Sequence, residues 1–103
     1  MEKGTYNFMK KKSLIQKGRY CYVCGNEGAL HLHHIFYGTS NRKLSDEDGA
    51  FCYLCYMHHN GGNYGVHFNK ELDLYLKKEA QTAWENKLGT REDFIKRYGK
   101  SWL

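Results

Sequence analysis

The sequence predicts an α+β fold in which a small core of two strands and a helix is stapled through its cysteines and C-terminal helices pack on it. Three observations lead there. All four Cys and all six His lie between Cys21 and His67, and the first 20 and last 36 residues contain none. Residues 29–35 and 50–55 are short apolar runs with strand character, whereas residues 70–98 carry apolar side chains at helical spacing. At 103 residues the chain fits one domain, and a core of that size is marginal enough to gain from a staple.

Residues 1–18 read as a basic extension. Residues 19–103 read as the single domain, with the core at 19–68 and a helical part at 69–103. Residues 1–20 hold Lys3, Lys10, Lys11, Lys12, Lys17 and Arg19 against Glu2 alone, and the formal net charge is +5. Such a balance suits a polyanionic partner, and equally a solvated basic surface. No apolar run has the form of a signal peptide or the length of a membrane span, so a cytoplasmic location without a membrane partner is expected. In a reducing compartment four Cys point to metal binding rather than to disulfides.

The elements follow in chain order. Residues 21–25, CYVCG, have the spacing of a knuckle turn, in which backbone N–H groups face the thiolates and Gly25 permits the tight conformation. Residues 29–35, ALHLHHI, alternate apolar and polar and predict the first strand. Residues 38–50 are polar and predict a loop, with Ser45 and Asp48 capping a short helical turn inside it. Residues 50–55, AFCYLC, predict the second strand, and a helix is expected to begin near Cys55. Asn69 is the expected N-cap of a helix over 70–88, whose Leu72, Leu76, Ala80, Ala83, Trp84 and Leu88 form a core stripe ending at Gly89. Thr90 with Asp93 predicts a capping box for a last helix, with Phe94, Ile95 and Tyr98 as its apolar face and Gly99 as its stop.

Two ligand sets for a structural zinc compete. One is Cys21, Cys24, Cys52 and Cys55, a pair of C-x-x-C motifs. The other is Cys21, Cys24, Cys55 and His58. The second is favoured because Cys52 lies within an apolar strand and because Cys55-x-x-His58 has the spacing of a turn leading into a helix. Cys52 then becomes a buried free thiol and stays the alternative ligand.

With these residues in place, the chain resembles the HNH, or ββα-metal, nuclease superfamily. Zinc-bearing members carry C-x-x-C, then a (D or H)-H pair on the first strand, then L-C-x-x-C-H at the helix start. Cys21-x-x-Cys24, His33-His34-Ile35 and residues 54–59, LCYMHH, match this if His58 replaces the last Cys. His59 then falls on the helix-borne catalytic ligand; pairing Cys52 with Cys55 would put Tyr56 there, a poor ligand. The HHN run, Gly65-Val66-His67, EAQTAWE and the ending FIKRYGKSWL are similar to small phage members, the recombination-enhancement nucleases. The resemblance covers residues 20–103. It implies a treble-clef, or ββα-metal, core, a phage or prophage protein in a bacterial host, DNA as substrate, and a recombinase or other phage protein as partner.

Phosphodiester hydrolysis needs an activated water and stabilised charge on the phosphorane and the leaving oxygen. A His titrating near neutrality can take the proton, and one divalent ion can meet the other needs. Adjacent strand residues point to opposite faces, so His33 and His34 take separate jobs. The resemblance implies His33 as a ligand of the catalytic metal and His34 as the general base, oriented by a loop carbonyl. His59 is the second ligand and His67 the third candidate, ahead of Asn60 and Asn63. His31 shares the face of His33 and reads as a satisfied strand histidine, with approach to the metal as the alternative. Mg2+, Mn2+, Ni2+ and Zn2+ all suit such a site. Many family members carry an Asn before the L-C pair; here Asp46, Glu47 or Asp48 stands in that stretch. Arg42, Lys43, Lys10, Lys11 and Lys12 are expected on phosphates. The competing reading is a non-catalytic zinc module that binds nucleic acid. Such a module needs four ligands, and the chain offers ten Cys and His.

Overall fold

One antiparallel ladder organises the chain. In the computed structural model, which describes residues 12–103, β1 (His31–His34) pairs with β2 (Phe51–Leu54). The register sets His31 opposite Leu54, Leu32 opposite Tyr53, His33 opposite Cys52 and His34 opposite Phe51. Residues directly opposite share a face. One face therefore carries His31, His33, Cys52 and Leu54, and the other Leu32, His34, Phe51 and Tyr53.

The fold is small and mixed α/β. Between the strands runs α1 (Asn41–Asp48), and after β2 come α2 (Tyr56–Asn60), a 3-10 turn (Gly62–Tyr64), α3 (Lys70–Lys87) and α4 (Arg91–Tyr98). Cys55 precedes α2 with extended backbone, as its spacing predicts. Asn69 caps α3 by accepting from the Leu72 N–H at 3.0 Å. Thr90 and Asp93 form the expected reciprocal box on α4, and Gly99 closes it at φ 97°. Leu72, Leu76, Ala80 and Trp84 meet the core, but Leu88 and Ile95 are exposed, because the helix end and the far side of α4 turn them outward.

Residues 38–50 differ from the expected loop. Two full turns of helix form there, and Ser45 caps nothing: it sits mid-helix, fully buried, donating to the Phe36 carbonyl and accepting from the Phe36 N–H. The polar sequence hides this helix because tertiary bonds hold it in place of an apolar stripe. Asp48 at its end accepts from Trp84 Nε1 (2.8 Å), Arg97 Nε (2.7 Å) and the Tyr98 hydroxyl (2.7 Å). Phe36, just past β1, packs on Phe94, Tyr98 and Trp102 with ring centroids 4.7–5.2 Å apart, tying the site-bearing strand to the C-terminal helices.

Residues 12–18, expected to belong to the basic extension, lie along the outer edge of β2. Leu14 N–H donates to Gly49 O (2.7 Å), and buried Gln16 accepts from Tyr53 N–H (2.8 Å). Tyr22 N–H donates to Tyr53 O (2.9 Å). Gly49 ends α1 at φ 85°, and a Cβ there would meet the Lys12 carbonyl oxygen at 2.3 Å, so the position demands glycine twice over. Lys10 and Lys11 lie outside the described residues.

Burial works to raise the Asp48 pKa, but the bonds from Arg97, Tyr98 and Trp84 outweigh it and hold the carboxyl below its ordinary value. The unfolded state therefore binds the proton more readily, and Asp48 contributes stability that is present above about pH 4 and is lost as pH falls through the folded pKa. Asp48→Asn should lower stability at pH 7 by about 1–3 kcal/mol, since three donors lose a charged acceptor. In urea titrations the gap to wild type should shrink as pH drops below about 4; a gap that stays constant with pH would show that the charge of Asp48 is immaterial.

Candidate metal centres

Two clusters of ligand atoms stand on the chain. In the first, Cys21, Cys24, Cys55 and His58 bring Sγ and nitrogen atoms within 4.8 Å of one another. The knuckle forms as its spacing dictates: Gly25 N–H donates to Cys21 O (2.8 Å), with Gly25 at φ 82°. The turn into α2 supplies the other pair. Cys24 and Cys55 sulfurs are 3.8 Å apart, and His58 Nδ1 lies 3.3 Å from Cys55 Sγ and 3.7 Å from Cys21 Sγ. An ion about 2.3 Å from each thiolate sets a tetrahedral edge of about 3.8 Å, so the separations suit a metal such as zinc. Burial opposes ionisation of Cys21, but backbone N–H groups of Cys55, Cys24 and Val23 prevail and bring its thiol down to about 6. It is thus poised as a thiolate, the form a metal takes.

Cys52 stands apart from this cluster. It is fully buried opposite His33 in the ladder, and burial, then the charge of Cys21, pushes its thiol up to about 12. It packs as a small apolar side chain, which favours the set containing His58.

The second cluster is His33, His59 and His67. β1 supplies His33, α2 supplies His59, and the segment after the 3-10 turn supplies His67, drawn in by Val66 N–H donating to His58 O at 2.8 Å. His59 Nε2 and His67 Nε2 are 3.0 Å apart. His33 is 3% exposed, and its Nε2 is a buried nitrogen without a hydrogen-bond partner. An orphaned imidazole nitrogen is costly unless something binds it, and this one faces the other two rings, with centroids 5.4 and 5.5 Å away. Burial, then the neighbouring His59 and His67, lowers the His33 pKa to about 3; burial, then His67 and His31, lowers that of His59 to about 4. Both are neutral at pH 7, as metal ligands must be. The group fits a divalent ion.

His31 is a satisfied strand histidine outside this group: its Nδ1 lies 2.8 Å from His59 Nδ1, with Asn60 Nδ2 3.2 Å from the same atom. The backbone carbonyl of Asn63 accepts from Asn69 Nδ2.

His34 faces the opposite side of β1. Its Nε2 is 3.1 Å from Asp46 Oδ1 on α1. A carboxylate only accepts, so Nε2 carries the hydrogen and Nδ1 keeps its lone pair. The partner is a side chain in place of the expected loop carbonyl. Glu47 and Asp48 turn instead to Arg97. His33 and His34 nonetheless border one cleft of about 230 Å³, with Tyr37, Arg42, His59 and His67 around it. Lys43 joins Arg42, His34 and Asp46 around an adjoining cleft. Lys12 lies elsewhere, beside Phe51 and Tyr53. Among the described residues, no helix is long and apolar enough to cross a membrane.

Elemental analysis of the purified protein should separate the two ligand sets. Cys55→Ser should lose zinc and unfold, because site and fold form together. Cys52→Ser should keep the metal while losing about 1–3 kcal/mol for a hydroxyl placed in an apolar interior. Loss of zinc in Cys52→Ser with retention in His58→Ala would reverse the assignment.

Searches against protein-family models, curated proteins and solved structures find no match for this chain in any of the three.

Proposed function

We propose that the protein is a metal-dependent HNH endonuclease that hydrolyses DNA phosphodiester bonds, built on a treble-clef, or ββα-metal, core and encoded by a phage or prophage. The supporting observation is the division of the histidine pair: His33 and His34 leave β1 on opposite faces yet border the same cleft. A ligand and a base must approach one phosphate from different directions, and strand alternation provides this without distortion.

In this reading Cys21, Cys24, Cys55 and His58 hold a structural zinc, and His33, His59 and His67 would hold the catalytic ion. When bound, that ion supplies charge neutralisation at the phosphate and the leaving oxygen. The chain's own residues do the rest. Asp46 accepts from His34 Nε2 and fixes the tautomer, which leaves the Nδ1 lone pair for a proton. His34 Nδ1 takes the proton of the attacking water, and Asp46 stabilises the imidazolium that results. Arg42 and Lys43 hold phosphate oxygens and orient the strand without reading its sequence.

A plasmid-cleavage assay across Mg2+, Mn2+, Ni2+ and Zn2+ tests this. His34→Ala should fold, retain metal and lose cleavage by about 10²–10⁴-fold, the usual worth of a positioned base. Asp46→Asn should lose about 10-fold or more, since it disturbs the tautomer without removing the base. His33→Ala should weaken Mn2+ binding in calorimetry, with partial recovery of cleavage at high metal concentration. Normal cleavage by His34→Ala, together with normal metal binding by His33→Ala, would make the chain a zinc-bearing nucleic-acid-binding module instead.

A further inference from the structure

A second, larger cleft of about 680 Å³ opens where residues 12–19 run beside β2. Its floor is Phe51 and Tyr53, and its rim carries four cations, Lys12, Lys17, Arg19 and Lys87, with no carboxylate among its lining residues. None of the four is ion-paired with a carboxylate among the described residues. Two are held in place: the Arg19 guanidinium lies over the Tyr53 ring at 5.0 Å, and Lys87 Nζ donates to the Leu14 carbonyl at 3.0 Å. Four like charges around one opening repel each other, and an anion relieves that repulsion.

The position of this cleft bears on what fills it. Phe51 and Tyr53 occupy the same sheet face as His34, and the rings of His34 and Phe51 adjoin at 6.4 Å. Arg42 and Lys43 line a cleft together with His34 itself. Cations therefore line both the cleft that His34 borders and the cleft floored by its neighbour Phe51. Residues 1–11 carry Lys3, Lys10 and Lys11 against Glu2, so that segment is a poor electrostatic match for a basic rim.

We propose that this cleft is a subsite for the phosphodiester backbone of the nucleic-acid strand engaged at His34. Phosphates bind Lys12, Lys17, Arg19 and Lys87 while Phe51 and Tyr53 give the sugar edge an apolar floor. The stacked guanidinium of Arg19 is pre-oriented for bidentate contact with phosphate oxygens. The proposal rests on the nuclease reading, which supplies the strand at His34. It adds that substrate length matters: a short phosphodiester reaches only the metal cleft, whereas a polynucleotide spans both.

The test is fluorescence anisotropy of the full chain with a labelled single-stranded oligonucleotide and a labelled duplex over a range of salt. Each phosphate contact contributes roughly 0.7 to the log–log salt slope on single strands and 0.9 on duplex. Lys17→Gln/Arg19→Gln, and separately Lys12→Gln/Lys17→Gln, which spares the Tyr53 stack, should each lower the slope by roughly 1.4–1.8. Lys78→Gln/Lys96→Gln removes the same charge away from the cleft and should change the slope far less. Thermal melts check that each variant folds. Equal slopes in wild type and both cleft variants overturn the proposal, as does an equal drop in the control pair. So does weakened binding of the cleft variants to anionic vesicles with oligonucleotide binding intact. A small substrate, bis(4-nitrophenyl) phosphate, separates the two readings. Its normal hydrolysis alongside unchanged slopes sinks the subsite and leaves the nuclease. Reduced slopes in the cleft variants, with no hydrolysis of any substrate by wild type, sink the nuclease and leave a nucleic-acid-binding cleft.

Discussion

Four residue pairs of antiparallel ladder govern where the chemistry of this protein lies. Because His33 faces Cys52 and His34 faces Phe51, a slip of one residue would exchange the two histidines between faces and separate His33 from His59 and His67. Several bonds resist that slip. Cys52 and Leu54 are fully buried on one side, and on the outer edge Tyr53 is paired through Gln16 and Tyr22. A two-stranded sheet in isolation is barely stable. Here the residues before the knuckle cover its edge, and Ile35 and Phe36 anchor its exit in the core.

The two ligand clusters share α2, and this sharing couples them. Cys55 and His58 face the knuckle while His59 faces β1, so one short helix serves both groups. Five residues of helix have little stability of their own. Their geometry depends on the ligand atoms at one end and on the Val66–His58 backbone bond at the other. Whatever fixes Cys21 and Cys24 against Cys55 also fixes the orientation of His59.

What could be read beforehand was local. The knuckle, the Cys55–His58 spacing, the Asn69 cap and the Thr90–Asp93 box depend on residues within four positions of each other, and all formed as their spacing dictates. What escaped was long-range. The helix over 41–48 shows no apolar stripe, since Ser45 and Asp48 attach it to Phe36, Trp84, Arg97 and Tyr98. The partner expected for His34 is a loop carbonyl, and only the packing of α1 brings Asp46 there instead. The contact of His31 with His59 joins residues 28 positions apart, which no local pattern reports. Leu88 and Ile95 fit the helical period and still face outward, because period alone does not say where a stripe ends.

The strap formed by residues 12–22 also has a bearing on the order in which the chain assembles. Its partners are distant: Gln16 meets Tyr53 across 37 positions, and Lys87 meets Leu14 across 73. During synthesis these residues leave the ribosome before their partners, since β2 must emerge before Gln16 has the Tyr53 N–H to accept from and α3 before Lys87 reaches Leu14. Closing loops of that size carries an entropy cost that short-range elements avoid. Until Gln16 and Tyr22 pair with Tyr53, the outer edge of β2 is left open to other chains.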